Sequence, residues 1–164
     1  MRKLISSLRT DCRAAAAAEM ALISPFLAVL MFGSMEMGKY FLDAHIVQKA
    51  VRDGARFAAR QSFTGMPCGG TAANDSAIKN LVRTGTTASG GTPRLSYWGN
   101  NSTITVQIEC DTTTTYANKG LYTAVTGGAR RVTVIAAVPY VSLLGMNYGG
   151  TELNARSQSA VMGI

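Results

Sequence analysis

The stretch Ala14–Met35, AAAAAEMALISPFLAVLMFGSM, decides the fold class because its 22 residues carry a single charge, Glu19. As an α-helix rising about 1.5 Å per residue it spans roughly 33 Å, enough to cross a bilayer core of about 30 Å. A cleaved secretory signal is the alternative, but its apolar region is about 7–15 residues long and ends at a small-residue cleavage site. No such site follows this run, so we expect an uncleaved single span.

The distribution of charge supports a membrane protein. The net charge of +7 over 164 residues first suggests nucleic-acid binding. However, residues 1–13 concentrate four basic side chains against one acidic one, and the remaining excess is spread thinly along the chain. A basic leader before an apolar run places the N-terminus in the cytoplasm and the residues after the span on the outer side. We expect no nucleic-acid partner.

Glu19 lies inside the apolar run, where a carboxylate costs a few kcal/mol on insertion scales. Two interpretations remain open. The side chain is near enough to the end of the span to reach the interface, or it pairs with a cation or an amine supplied by another chain.

The helical pattern continues beyond the span. An apolar stripe recurs at steps of three and four residues, at Tyr40, Ala44, Val47, Val51, Ala55 and Ala58. A basic stripe has the same spacing, at Lys49, Arg52, Arg56 and Arg60. The basic stripe is either a solvated face near anionic lipid headgroups or a subunit contact. We predict one helix from about residue 15 to about residue 62, with an i,i+4 pair between Lys49 and Asp53.

The remaining residues predict a small α+β domain with an antiparallel sheet covered by the long helix. A short helix starts at Asn74 or Asp75 and presents an apolar face at Ala77, Ile78, Leu81 and Val82. Four segments carry strand signals: Arg94–Trp98, 103–110, 131–141 and 152–162. The predicted organisation is therefore a leader at 1–14, a span at 15–35, an amphipathic helix at 36–62 and the α+β domain at 63–164.

The three cysteines divide between the two sides of the membrane. Cys68 and Cys110 lie on the outer side, where an even pair predicts a disulfide, and Cys12 lies on the cytoplasmic side as a free thiol. Closing a loop of about 43 residues stabilises the fold by roughly 4 kcal/mol in the chain-entropy model. A redox-active pair is the alternative, although the C-x-x-C spacing is absent.

The motifs of common enzymes are missing from the sequence. There is no G-x-S-x-G, Walker lysine, H-E-x-x-H or G-x-G-x-x-G. His45 is the single histidine and has no second metal ligand at a useful spacing, so we interpret it as a helix-surface residue. We expect no enzymatic activity, no metal and no cofactor.

Three local patterns together resemble the TadE-like family of the tight-adherence (Tad, type IVc) pilus system. They are A-A-A-E-M-A-L at Ala16–Leu22, Q-K-A-V-R-D-G-A-R-F-A-A at Gln48–Ala59, and a third pattern within residues 132–163 that runs from V-T-V through V-P-Y-V-S-L-L-G to L-N-A-R-S-Q-S-A-V-M-G. The resemblance implies a pilin-like fold in the bacterial inner membrane, with the domain in the periplasm. It implies a pseudopilin or minor pilin that acts in pilus biogenesis and surface adhesion, with other pilins and inner-membrane components of the pilus machine as partners.

The same resemblance implies processing by a prepilin peptidase on the cytoplasmic side. The family is cut after a glycine, so that a glutamate becomes the fifth mature residue. In this sequence Glu19 is that glutamate, Ala15 the first mature residue, and Ala14 stands where the family has glycine. Some TadE-like proteins remain uncleaved anchors, so an uncleaved scaffold of the same apparatus is one alternative. A membrane-tethered binding or enzymatic domain unrelated to pili is the other.

Overall fold

The computed structural model describes residues 12–113, 115, 117–145 and 150–163. Of the leader predicted at 1–14, residues 1–11 lie outside them, and residues 12–14 belong to the first helix. The elements are α1 (Cys12–Ala59), α2 (Asp75–Thr84), β1 (Ile104–Asp111), β2 (Ala129–Pro139) and β3 (Glu152–Ala160), with one-turn 3₁₀ helices at Asn101–Thr103 and Gly120–Tyr122. The predicted α+β class is confirmed. The chain divides into two compact units, Met1–Lys39 and Tyr40–Ile164, and α1 contributes to both.

α1 is a single helix of 48 residues that contains Pro25. In the part described, it is the helix long and apolar enough to cross a membrane, and none of its most apolar stretch is buried by the protein. Large apolar side chains point outward on all sides between residues 20 and 37: Met20, Leu22, Ile23, Phe26, Leu27, Val29, Leu30, Met31, Phe32, Met35 and Met37. The helix ends at Ala59, three residues before the predicted end.

Within the second unit, the remainder of α1 covers the inner face of the sheet. The predicted apolar stripe is buried as expected: Val47, Val51, Ala55 and Ala58 are at most 1% exposed, and Tyr40 and Ala44 pack against the same core. Gly54 faces α2 so closely that a Cβ at this position would collide with the side chain of Val82. A residue without a side chain is therefore needed where the two helices meet.

The sheet is a three-stranded antiparallel meander with the order β1-β2-β3. β1 and β2 are connected at the end where Asp111 pairs with Ala129, and β2 and β3 at the end where Pro139 pairs with Glu152. The two connections therefore lie at opposite ends of the sheet, separated by the length of β2, which is roughly 35 Å for 11 extended residues. Alternate residues of β2 face the core: Val132, Val134, Ala136 and Val138.

The strand predicted at Arg94–Trp98 is wrong, because this segment forms a turn. Leu95 and Trp98 are both buried although they are three residues apart, and the amide of Trp98 donates to the carbonyl of Leu95 at 2.9 Å. Such spacing closes a turn and does not fit the two-residue period of a strand. The other three predicted strands are confirmed, with ends that differ by up to two residues.

Two local predictions about helices have different outcomes. The short helix is confirmed as α2, which starts after Asn74 and ends at Thr84. Gly85 caps it with a φ of 83°, the left-handed conformation that glycine adopts easily. The predicted pair between Lys49 and Asp53 is wrong: Asp53 pairs with Arg94, with 3.0 Å between Nη2 and Oδ2.

Candidate functional site

The first part of the candidate site is the start of α1, which holds the residues predicted for processing and pairing. The helix backbone includes Ala14, and the side chains of Ala15 and Glu19 are exposed. Residues four apart lie on one face of a helix, about 6 Å apart along its axis. Glu19 is therefore within reach of whatever group residue 15 carries. The thiol of Cys12 and the side chain of Ala14 lie outside the described side chains.

The basic stripe lies in the second unit, on the last part of α1 and the residue that follows its end. Its four side chains, Lys49, Arg52, Arg56 and Arg60, are all exposed. Asp53 lies between them in sequence, but its carboxylate is bound to Arg94. The stripe is thus an exposed row of positive charge, and both predicted interpretations, lipid headgroups and a subunit contact, remain compatible with it.

A buried polar cluster lies where α1 enters the second unit. Asp43 is only 7% exposed and accepts a hydrogen bond from the hydroxyl of Tyr97 at 2.8 Å. Burial raises the pKa of Tyr97 well above its usual range, and the hydrogen bond and negative charge of Asp43 add to this effect. This cluster was not predicted from the sequence. The sequence feature that could have indicated it is the acidic residue Asp43, which lies on the apolar stripe between Tyr40 and Val47.

The predicted disulfide between Cys68 and Cys110 is confirmed, with an S–S distance of 2.07 Å and a Cα–Cα distance of 5.5 Å. Cys68 lies in the loop before α2, and Cys110 lies near the end of β1. The bridge therefore fixes this loop to the end of the sheet where β1 and β2 are connected.

Arg130 reinforces the same end of the sheet. It pairs with Cys110 in the β1–β2 register and is 9% exposed. Its guanidinium donates to the carbonyls of Phe63, Met66 at 2.9 Å and Thr126 at 2.6 Å, and lies 5.7 Å from the centre of the Phe63 ring. These bonds join two loops to β2. This role was not predicted from the sequence, although Arg130 is two residues from Val132 and therefore faces the same, inner side of the sheet.

A groove of about 390 Å³ opens beside this region. Its charged side chains and its tyrosine have partners within the protein. Arg131 pairs with Glu109 at 2.6 Å, Asp111 accepts from the amide of Thr113, and Tyr122 donates to the carbonyl of Val161. Among the described residues, no three His, Cys, Asp or Glu side chains are grouped as a metal site would require.

The helical part of this site is what the chain shares with known proteins. Residues 14–56 match the family model of TadE-like proteins. The suspected resemblance is thereby confirmed over about a quarter of the chain. No curated protein and no solved structure matches the chain.

The TadE-like segment separates the site residues into two groups. It contains the three residues predicted for processing and pairing, the buried Asp43, and most of the basic stripe. The disulfide, Arg130 and the groove lie beyond it. The matched segment therefore lies entirely within α1.

Proposed function

We propose that this chain is a single-pass pseudopilin or minor pilin of a Tad-type pilus apparatus, without enzymatic activity. Its N-terminus faces the cytoplasm and its α+β domain lies in the periplasm, where it acts in pilus biogenesis and surface adhesion. The observation that carries the proposal is the exposed apolar part of α1, which continues without interruption into the helix of the domain and coincides with the TadE-like segment.

A helix that is apolar on all sides is stable only where apolar groups surround it on all sides. Lipid supplies it for a single subunit, and neighbouring helices of the same kind supply it in an assembly. The domain half of α1 already has its partner, because the stripe around Val51 is covered by the sheet of the same chain. The apolar half is thus the surface that remains available for assembly.

Glu19 gives this assembly a defined register. The start of a helix favours an anion by roughly 0.3–1 kcal/mol, less than the few kcal/mol that a carboxylate costs in the membrane. Cleavage before Ala15 creates an ammonium group four residues from Glu19, on its own helix or offered by a neighbour. An unpaired carboxylate is penalised in every other alignment of the helices, so pairing sets the axial position of each subunit.

Two further observations support the location and the absence of enzymatic activity. The disulfide fits an oxidising compartment such as the periplasm. The charged groups around the groove have partners within the protein, as with Glu109 and Arg131, which supports a structural role for them.

The intact mass of the membrane-extracted protein tests processing. A mass that starts at Ala15 identifies a peptidase substrate, and the full mass identifies the uncleaved scaffold. Because Ala14 adds a methyl group where the family has glycine, we expect slow cleavage that Ala14→Gly accelerates when the peptidase is co-expressed. If both forms stay uncut, the scaffold alternative is correct.

Co-purification of partner pilins tests the role of Glu19. Glu19→Ala should insert as well as the wild type or better, yet fail to bring down partner subunits, and Glu19→Asp should be partly defective because its side chain is shorter. Ser24→Ala is the matched control, since Ser24 is another exposed polar side chain in the apolar run. Normal co-purification by Glu19→Ala would exclude the pairing role.

A further inference from the structure

The connection between β2 and β3 begins with an apolar segment, Val141-Ser142-Leu143-Leu144. Its three large apolar side chains are exposed, Val141 at 49%, Leu143 at 52% and Leu144 at 40%. No charged residue occurs from Tyr140 to Thr151 in the sequence. An uncharged loop that exposes three aliphatic side chains within four residues is unusual for a surface in contact with water.

The loop lies at the end of the domain where α1 enters. The ring of Tyr140 packs edge-on against the ring of Tyr40, the first residue of the second unit, with 5.2 Å between the ring centres. Phe41 and Leu42 follow on α1 and are 56% and 66% exposed. Among the described residues of this unit, five of the seven exposed large apolar side chains are therefore at this end: Phe41, Leu42, Val141, Leu143 and Leu144.

The distance along the chain places this end close to a membrane surface. Tyr40 follows Met35, the last residue of the apolar run, by five residues, or about 7.5 Å of helix. The polar headgroup layer on each side of a bilayer core is of similar thickness, roughly 5–7 Å. Tyrosines concentrate at this depth because the ring is apolar and the hydroxyl is wet. Tyr40 and Tyr140 fit such a position.

We propose that Val141, Leu143 and Leu144, together with Phe41 and Leu42, form a second membrane contact, which inserts into the boundary between phospholipid headgroups and acyl chains. Interfacial segments of this kind bury apolar side chains about 5–10 Å below the surface. The lack of charge in the loop points to lipid acyl chains as the ligand. This inference rests on the membrane span of the proposed function. Its consequence is that the domain contacts the bilayer itself, in addition to the span that anchors the chain.

Quenching of tryptophan fluorescence by brominated lipid tests the contact. The full chain is reconstituted into phosphatidylcholine vesicles that carry bromine on the acyl chain near the headgroup. Leu143→Trp and Val141→Trp should each lose most of the emission that the new tryptophan adds, and the emission should shift to the blue. Trp98 is 1% exposed within the core and provides the same background signal in every variant.

The matched controls are Leu121→Trp and Met162→Trp. Leu121 is 57% exposed in the β1–β2 connection, and Met162 is 48% exposed beside Ala59, both away from the Tyr40 end of the sheet. We expect no quenching of either. Unquenched Leu143→Trp and Val141→Trp in membrane-integrated protein would overturn the inference and leave the loop as a surface for solvent or a protein partner. Equal quenching at all four positions would also overturn it.

Alkaline carbonate extraction separates this result from the proposed function. A chain that stays with the membrane has its span, whatever the quenching shows. A chain released by carbonate lacks the span, and both proposals then fail for that reason.

Discussion

The two halves of α1 place their apolar side chains in different surroundings, although they belong to one helix. Before residue 38 the apolar side chains are spread around the axis and exposed, as with Leu22 at 78% and Val29 at 70%. After Leu42 they form a narrow stripe, and Val47 and Val51 are at most 1% exposed. The width of the apolar surface, more than the number of apolar residues, therefore distinguishes a helix for lipid from a helix for a protein core.

The largest effect should come from a charge placed in each half. Val51→Asp puts an unpaired carboxylate at a position with 0% exposure. Its cost of several kcal/mol is comparable with the about 5–15 kcal/mol of total stability of a domain. We therefore expect the domain of Val51→Asp to unfold and to be digested in limited proteolysis. Leu30→Asp should leave the domain resistant and reduce the protein recovered in membranes, since a charge costs about 2.5–3.5 kcal/mol at the centre of a span. A protease-resistant Val51→Asp domain would contradict the comparison.

Removal of the disulfide comes next. Its cysteines are 42 residues apart, so the chain-entropy model gives a loss of roughly 4 kcal/mol in the free energy of unfolding for the Cys68→Ser/Cys110→Ser variant. Thermal unfolding measures the loss, and reductant should lower the wild-type melting temperature to a similar degree. Cys12→Ser is the control and should leave the melting temperature unchanged. Alkylation of Cys68 and Cys110 without reductant would show that the bridge is absent.

Glycine-to-alanine substitutions, one in each half of α1, test the same comparison with a smaller change than a buried charge. Gly54→Ala collides with Val82 and should destabilise the domain by about 1–3 kcal/mol. Nothing lies within 4 Å of a Cβ at Gly38, so Gly38→Ala should be neutral or improve helix stability by up to about 1 kcal/mol. Urea unfolding followed by Trp98 fluorescence measures both. Equal stabilities for the two variants would refute the close approach of α1 and α2.

The last effect, comparable in size to that of Gly54→Ala, concerns Tyr97 and depends on pH. At pH 7, Tyr97→Phe removes the hydrogen bond to the buried Asp43 and should cost about 1–3 kcal/mol. Above about pH 10, the ordinary pKa of tyrosine, Tyr97 ionises in the unfolded chain while its raised pKa keeps it protonated in the folded domain. The unfolded state then binds fewer protons, and wild-type stability falls as pH rises.

The advantage of the wild type over Tyr97→Phe should therefore narrow between pH 9 and pH 11, a range of about one unit on either side of that pKa. Urea unfolding at a series of pH values measures it. A constant difference across this range would show that the hydroxyl is not held protonated by its surroundings.

The parts of the fold that follow local patterns could be predicted from the sequence. The apolar run gave the first half of α1, and the alternation of Val132, Val134 and Val138 gave β2, whose observed bounds, Ala129–Pro139, differ by two residues from those predicted. The pairing of Cys68 with Cys110 followed from the number of cysteines on each side of the membrane. In each case, a short-range period or a count carried the information.

The parts that depend on distant partners could not be predicted. Arg94–Trp98 has the composition of a strand, but Arg94 is drawn to Asp53, 41 residues earlier. Tyr97 meets Asp43 across 54 residues, and Arg130 meets Phe63 across 67. No local period encodes such pairs, because they form only when the folded chain brings their elements together. The polar contacts that position the loops and the entry of α1 were therefore missed.

The amide of Met162 donates a hydrogen bond of 2.7 Å to the carbonyl of Ala59. This bond joins two segments of the chain that are synthesised at different times. The end of α1 receives this partner about 100 residues later, or roughly 5–20 s at ordinary elongation rates. During that interval the sheet that covers the apolar stripe of α1 lacks β3. Both disulfide cysteines emerge before β3, so oxidation can precede closure of the sheet. The disulfide then restricts the conformations of the domain before β3 is present. Fewer conformations remain to be sampled when β3 pairs with β2.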